Sequence, residues 1–220
     1  MDKLIIYGNG SVAEVLHYYL SRDTDFQIAG FTVDRNVIHK DNLLGLPVVP
    51  FDEVLESFPP AEVKMIIAVG YVKVNQLRAE RFYQAKEMGY QLVSYTSPRA
   101  SVWSGLEVGE NCRIGDQCII SPYSEIGDNV WISSGSIIGH HAVIKDHCYF
   151  SSRVSMAGFV TVEPYCYIGI NAVIRNNITI ARSCIIGAGA VILGDTLEKG
   201  VYMAPGAERL PINSDQLSPK

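Results

Sequence analysis

From Val102 to Ile192 every sixth residue is apolar, with no slip of register: Val102, Val108, Ile114, Ile120, Ile126, Ile132, Ile138, Ile144, Phe150, Met156, Val162, Ile168, Ile174, Ile180, Ile186 and Ile192. With 48% of the chain apolar, sixteen independent hits have a chance of roughly one in 10⁵. A second column, four residues after each anchor, is small or apolar nearly throughout, as at Leu106, Ser124, Val130, Ala142, Val154, Ala172 and Ile178. The five cysteines, Cys112, Cys118, Cys148, Cys166 and Cys184, all fall in it. The residue directly after the anchor is mostly Gly, Ser or Ala, as at Gly109, Gly115, Gly127, Gly139, Gly169 and Gly187.

Side chains alternate between the faces of a strand, so each anchor and the residue two before it point the same way, one large and one small. Inward faces of this kind interdigitate at core density. A small residue after the anchor is expected to let the backbone bend. Three such faces make an 18-residue triangular coil, and coils stack about 4.8 Å apart by parallel pairing. The cysteines are then small buried core residues, not metal ligands or disulfide partners.

The N-terminal third is organised differently. Residues 3–7 and 26–32 read as buried strands, and a helical run to Leu20 lies between them. Residues 63–69 read as a third strand, residues 75–88 as a helix and residues 91–95 as a fourth strand. Strands alternating with helices imply a small α/β unit with a parallel, Rossmann-like sheet. The reading is therefore a two-domain chain: residues 1–97 form a nucleotide-type α/β domain, and residues 98–220 form a β-helix with a C-terminal tail. Gly8-Asn9-Gly10-Ser11 lies between the first strand and helix, where free N–H groups suit a phosphate. The same residues suit a tight packing turn, and as a dinucleotide fingerprint G-x-G-x-x-A is incomplete.

The net charge of −5 and the lack of basic runs argue against a nucleic-acid partner. No stretch of 18 apolar residues predicts membrane insertion. The opening MDKLIIYGNG has no signal-peptide pattern, so a cytoplasmic location is expected.

A filled prism leaves chemistry to its outer faces, corners and subunit contacts. Candidate bases there are His140, His141 and His147, with His17 and His39 in the first unit. His140 and His141 fall at one corner and point outward. His147 falls at the next corner, also outward. A solvated or interface role is equally open to them. A zinc site of the γ-carbonic-anhydrase kind needs three histidines converging at about 2.0–2.1 Å from the metal. His141 and His147 diverge round the prism instead, so no metal is expected.

The strand-Gly-x-Gly opening, Ala68-Val69-Gly70 with Asn75-Gln76-Leu77-Arg78, the hexads, Ile186-Gly187-Ala188-Gly189-Ala190 and the closing Gly200-Val201-Tyr202-Met203-Ala204-Pro205 together resemble the sialic acid O-acetyltransferase and nucleotide-aminosugar N-acyltransferase (NeuD/PglD-like) family. The likeness covers nearly the whole chain. It implies a left-handed β-helix, a hand that periodicity does not give and that departs from the usual crossover rule. It also implies a homotrimer with active sites at subunit interfaces. The activity implied is transfer of an acetyl or other short acyl group from acyl-CoA to a nucleotide-linked (amino) sugar, for bacterial surface polysaccharide or glycan synthesis. Sugar O-acetylation, a non-catalytic nucleotide-sugar-binding trimer and a hydratase stand as alternatives.

Carried over residue by residue, the resemblance makes His140 the general base and His141 its neighbour. Tyr149, Ile170 and Ala188 become coenzyme A contacts, and Gly10, Ser11, Asp34 and Gly70, with Gly8 in the same turn, become substrate contacts. Gly158, one coil beyond His140, would offer a backbone N–H to the oxyanion. Three departures stand out. His141 replaces an acidic residue, Tyr149 replaces a second histidine, and Val33-Asp34 replaces an acidic pair.

Overall fold

The structure, a computed structural model, describes residues 1–214. Strands β1 (Lys3–Tyr7), β2 (Gln27–Val33), β3 (Asn42–Leu43), β4 (Leu46–Pro50) and β5 (Val63–Ile67) form one sheet in the order β3-β4-β2-β1-β5. All neighbours are parallel except β3 and β4. Strand β1, flanked by β2 and β5, is buried on both faces through Leu4, Ile5 and Ile6, which is why it reads as a continuous apolar run. Helices are α1 (Ser11–Asp23), α2 (Val54–Ser57) and α3 (Gln76–Glu87). Helix α1 turns Ala13, Leu16 and Leu20 onto the sheet, the spacing of one helical face.

Two expectations for this unit need correction. Residues 91–95 are not a fourth sheet strand. Leu92 makes a single bridge to Met65, and by Tyr95–Thr96 the chain already pairs with Arg113–Ile114 of the coil. The β3–β4 hairpin is an addition. Its turn residues Leu44 and Gly45 both have positive φ (53° and 83°), as a two-residue hairpin requires. Its strands are short and carry Pro47 and Pro50, so they lack the apolar alternation that marks a strand.

The coil follows the hexads. Pairs such as Arg113–Ile114, Trp131–Ile132, Tyr149–Phe150, Tyr167–Ile168 and Ile185–Ile186 stack at an 18-residue stride into a first face. The pairs at Ile119, Ile137, Ser155, Val173 and Val191 build the second face, and those at Glu125, Val143, Thr161 and Thr179 the third. Anchors from Ile114 to Ile192 are no more than 6% exposed, whereas Val102 and Val108 sit at the open first coil and are not buried. The cysteines are all free and buried, and burial pushes the Cys112 thiol up to about 12.

The expected bend at the glycines is corrected. The left-handed turn residue lies three after the anchor. It is Asn111, Gln117, Tyr123, Asn129, His141, His147, Arg153, Phe159, Tyr165, Asn171, Asn177 or Ser183, with φ between 55° and 65°, and Gly135 and Gly189 hold the same place at 76° and 66°. The glycine after the anchor serves close approach instead. A Cβ on Gly139 would sit 2.4 Å from the Ala157 carbonyl carbon, and one on Gly109 2.5 Å from the Gly127 carbonyl oxygen.

The α/β unit covers the first face. Trp131 is 1% exposed there, and Arg113 lies between the Tyr19 and Trp131 rings at 5.7 and 5.5 Å. The second face is bare, with Ile119, Ile137, Val173 and Val191 each 42–59% exposed. No helix among the described residues is long and apolar enough to cross a membrane.

Candidate active site

His140 and His141 stand at the corner between the second and third faces, both exposed. Their Nδ1 atoms lie 3.1 Å apart, so one donates a hydrogen bond that the other accepts. His141 occupies the left-handed position of its turn, which throws its ring into a ladder with the residues one coil before and after. Tyr123 lies 4.8 Å from it, and Phe159 stacks at 4.7 Å with planes 16° apart. His140 meets the edge of Phe159 and lies over Gly158, where a Cβ would come within 2.8 Å of Nε2. Only glycine leaves that ring its place. At a different corner the equivalent N–H groups of Glu110 and Asp128 bond to the carboxylates of Asp128 and Asp146. The Gly158 N–H has no acceptor among the described residues, with Asn176 standing one coil on. A groove of about 660 Å³ adjoins this corner through Tyr123 and runs over the third face past Trp103, Glu125 and Lys145.

The other expected coenzyme contacts lie elsewhere on the prism. Tyr149 is on the first face, half-buried under the α/β unit. Ile170, 45% exposed, and Ala188 stand one above the other at the corner between the first and second faces. On one chain, therefore, the second face separates His140 and Gly158 from Ile170 and Ala188.

The expected substrate residues do come together, at the carboxyl ends of β1, β2 and β5. Gly8 has φ 132°, and a Cβ there would be 2.8 Å from the Ala68 carbonyl oxygen, so the turn admits no side chain. Gly10 precedes α1, and both Gly10 and Gly70 have open space where a Cβ would stand. Ser11 opens the helix and is exposed. The Asp34 carboxylate accepts hydrogen bonds from the Tyr7 hydroxyl at 2.8 Å and from Arg81 at 2.6 and 3.1 Å. Burial, then the bond to Asp34, pushes the Tyr7 hydroxyl well above its ordinary range. Sequence reasoning missed Tyr7 and Arg81. Arg81 borders a second groove, of about 700 Å³, with Asp34, Asn36 and Gln84.

The loop after β5 carries this end of the sheet to the coil. Tyr71 packs on Tyr167 at 4.5 Å and on Tyr149 at 5.4 Å. Lys73, Val74 and Asn75 are three successive left-handed residues, with φ of 51°, 52° and 65°. Such a conformation costs about 1–2 kcal/mol per residue.

The expected outward position of His147 is corrected: it is 2% exposed beneath α3. Its Nδ1 accepts from the Asn129 amide at 2.9 Å and its Nε2 meets the Tyr83 hydroxyl at 2.9 Å, so both ring nitrogens are engaged. Burial lowers its pKa to about 4. No group of three or more His, Cys, Asp or Glu among the described residues has the arrangement of a metal site.

Residues 3–82 match the model of the PglD N-terminal domain, and residues 123–158 and 159–194 match that of the bacterial transferase hexapeptide (six repeats). The chain belongs to the PglD-like family. Its coil is accordingly a left-handed parallel β-helix. No curated protein matches the sequence. Among solved structures, a mutant of perosamine N-acetyltransferase from Caulobacter crescentus, in complex with CoA and GDP-perosamine, is 25% identical. It matches over 93% of this chain and 94% of its own, with a TM-score of 0.84. The acetyltransferase domain of PglB from Neisseria gonorrhoeae, in complex with acetyl coenzyme A, is 21% identical over 94% and 98% of the two chains, at 0.80. WeeI from Acinetobacter baumannii is 20% identical over 91% and 96%, also at 0.80. These last two share the PglD-like fold.

Proposed function

We propose that this PglD-like protein transfers an acetyl or other short acyl group from acyl-CoA to the amine of a nucleotide-linked amino sugar. The observation that carries the reading is an exposed His140 braced by His141 over a glycine floor, on a chain whose full-length likeness includes an N-acetyltransferase bound to CoA and a nucleotide sugar. The nucleotide would lie at Gly8, Gly10, Ser11 and Gly70, with Asp34 and its Arg81 partner at the pocket edge.

In the reaction, the sugar nitrogen attacks the thioester carbonyl carbon and the C–S bond breaks. The proton leaving nitrogen goes to His140 Nε2 and from there to the departing thiolate. If His140 donates its Nδ1–H to His141, Nε2 keeps its lone pair for this step. The free N–H of Gly158 would stabilise the oxyanion. With His141 in the place of the usual acidic neighbour, the site favours N- over O-transfer. An amine requires only a modest base; a hydroxyl requires a stronger one.

Acyl-CoA would bridge two copies. On one chain the bare second face separates His140 from Ile170 and Ala188, and a neighbouring copy would bring the two sets together in a homotrimer.

The test is thiol release from acetyl-CoA against UDP-, dTDP-, GDP- and CMP-linked sugars with and without an amino group. Release with an amino sugar alone is expected. Release only with a hydroxyl acceptor would replace N- by O-transfer. Silence with acetyl-CoA and longer acyl donors, together with no CoA binding, would overturn acyl transfer.

A further inference from the structure

Arg78 is wholly buried, and no carboxylate pairs with it among the described residues. Its Nε donates to the Asn129 side-chain oxygen, and Nη1 to the Gly70 carbonyl at 3.1 Å and the Asn75 side chain at 3.0 Å. Nη2 donates to the carbonyl oxygens of Asn129, His147 and Cys148 at 3.1–3.2 Å. The guanidinium also faces the Tyr149 and Trp131 rings at 5.6 and 5.9 Å. Burying a cation against neutral acceptors alone is costly, and an apolar side chain would fill the space more favourably. What the cation adds is a set of fixed donors pointing two ways.

One set of acceptors belongs to two successive coils, at Asn129 and at His147–Cys148. The other belongs to the Gly70–Asn75 loop, whose Lys73, Val74 and Asn75 are left-handed. A β-branched valine resists that conformation. Beside the packing of Tyr71 on Tyr149 and Tyr167, the loop is tied to the coil by the Asn75 amide, which donates to the Cys166 carbonyl at 3.0 Å.

We propose that Arg78 is a positioning residue, which holds the strained Gly70–Asn75 loop against two coils and so fixes the edge of the sugar-nucleotide pocket. The proposal rests on the functional reading above in placing Gly70 at that pocket. Without the guanidinium the loop relaxes from its left-handed turn, and Gly70 shifts while the coil stays intact. Sugar-nucleotide binding then suffers and acyl-CoA binding does not.

Arg78→Lys keeps the charge and loses the fork. With the first sugar nucleotide turned over by wild type, its KM is expected to rise tenfold or more, and that for acetyl-CoA to change less than twofold. Without any ligand, trypsin cleavage after the exposed Lys73 should accelerate at least tenfold. Val74→Asn, which accepts a left-handed φ more readily, should reverse both effects in the Arg78→Lys background. Should Arg78→Lys not give soluble protein, Asn75→Ser takes its place, with the same selective pattern expected. Unchanged kinetics and cleavage, or an equal rise in both KM values in folded protein, would overturn the assignment. If wild type turns over no sugar nucleotide, the functional reading falls, and the trypsin arm alone decides on Arg78.

Discussion

His140 depends on what surrounds it more than on its own position. The ring has one nitrogen toward His141, one over Gly158, and a neighbour clamped between Tyr123 and Phe159. His140→Ala is expected to lower kcat by about 10²–10⁴-fold, the usual worth of a general base. KM for both substrates should change little, as read by thiol release at saturating donor. Turnover like wild type would show that an already neutral amine attacks unaided. His147 makes a different prediction. Burial holds it neutral, with Asn129, Asp146, Arg78, Arg182, Tyr83 and Tyr165 around it. Between its ordinary value of 6.5 and the folded value of about 4, the unfolded chain takes up a proton that the folded chain does not. Stability is therefore full above pH 6.5 and falls as pH drops through that window, by at most about 3 kcal/mol. His147→Gln should flatten the difference between urea midpoints measured at pH 7 and pH 4.5. A slope as steep as wild type would mean that other groups carry it.

At the scale of the element, the hexad separates two positions whose chemistry is easily confused. Where the residue after the anchor is glycine it has no room, and the residue three after the anchor has an unusual backbone. A Cβ on Gly115 would come within 2.8 Å of the Ser134 amide nitrogen, so Gly115→Ala is expected to cost about 1–3 kcal/mol. Gln117, exposed at φ 56°, presents the opposite case. Gln117→Gly relieves left-handed strain at some cost in chain entropy, and should raise stability by up to about 1 kcal/mol. Urea unfolding of the two variants decides it, and the same sign for both would refute the division of roles. The coil was legible because its period is carried by every repeat: the anchors, the small column and the core cysteines all follow from it. The positive-φ column was not, since Asn, Tyr, His, Arg and Phe share no chemistry that betrays a backbone angle. In the α/β unit β1, β2, β5, α1 and α3 were legible from apolar runs and helical spacing. Arg78, His147 and the Asp34–Arg81 pair were not, because each is defined by what lies opposite it in the folded chain. Arg78 stands in the Asn75-Gln76-Leu77-Arg78 run that marks the resemblance, but its burial follows only once α3 is set against the coil.

At the scale of the whole molecule, the prism uses its faces unequally. The first is sealed by the α/β unit and the third carries the groove, while the second presents Ile119, Ile137, Val173 and Val191 with no covering element among the described residues. These four aliphatic side chains, in one row with Ser155 on a parallel face, form a surface that another copy of the chain would cover. The corners flanking this face are different, one bearing His140 and the other Ile170 and Ala188. A contact that joins unlike corners is heterologous, and it closes only if the copies form a ring. In a ring of three, each corner bearing His140 would meet a neighbouring copy's corner bearing Ile170, giving three equivalent sites shared between chains. Ile137→Glu places a carboxylate in the middle of the apolar face, where burial would leave it unpaired. Sedimentation at micromolar concentration should then give a monomer in place of the proposed trimer, with the circular dichroism of the coil preserved and the proposed acyl transfer lost. Retention of full turnover by a monomeric Ile137→Glu protein would place the whole site within one chain, and would require the groove on the third face to hold the acyl donor alone.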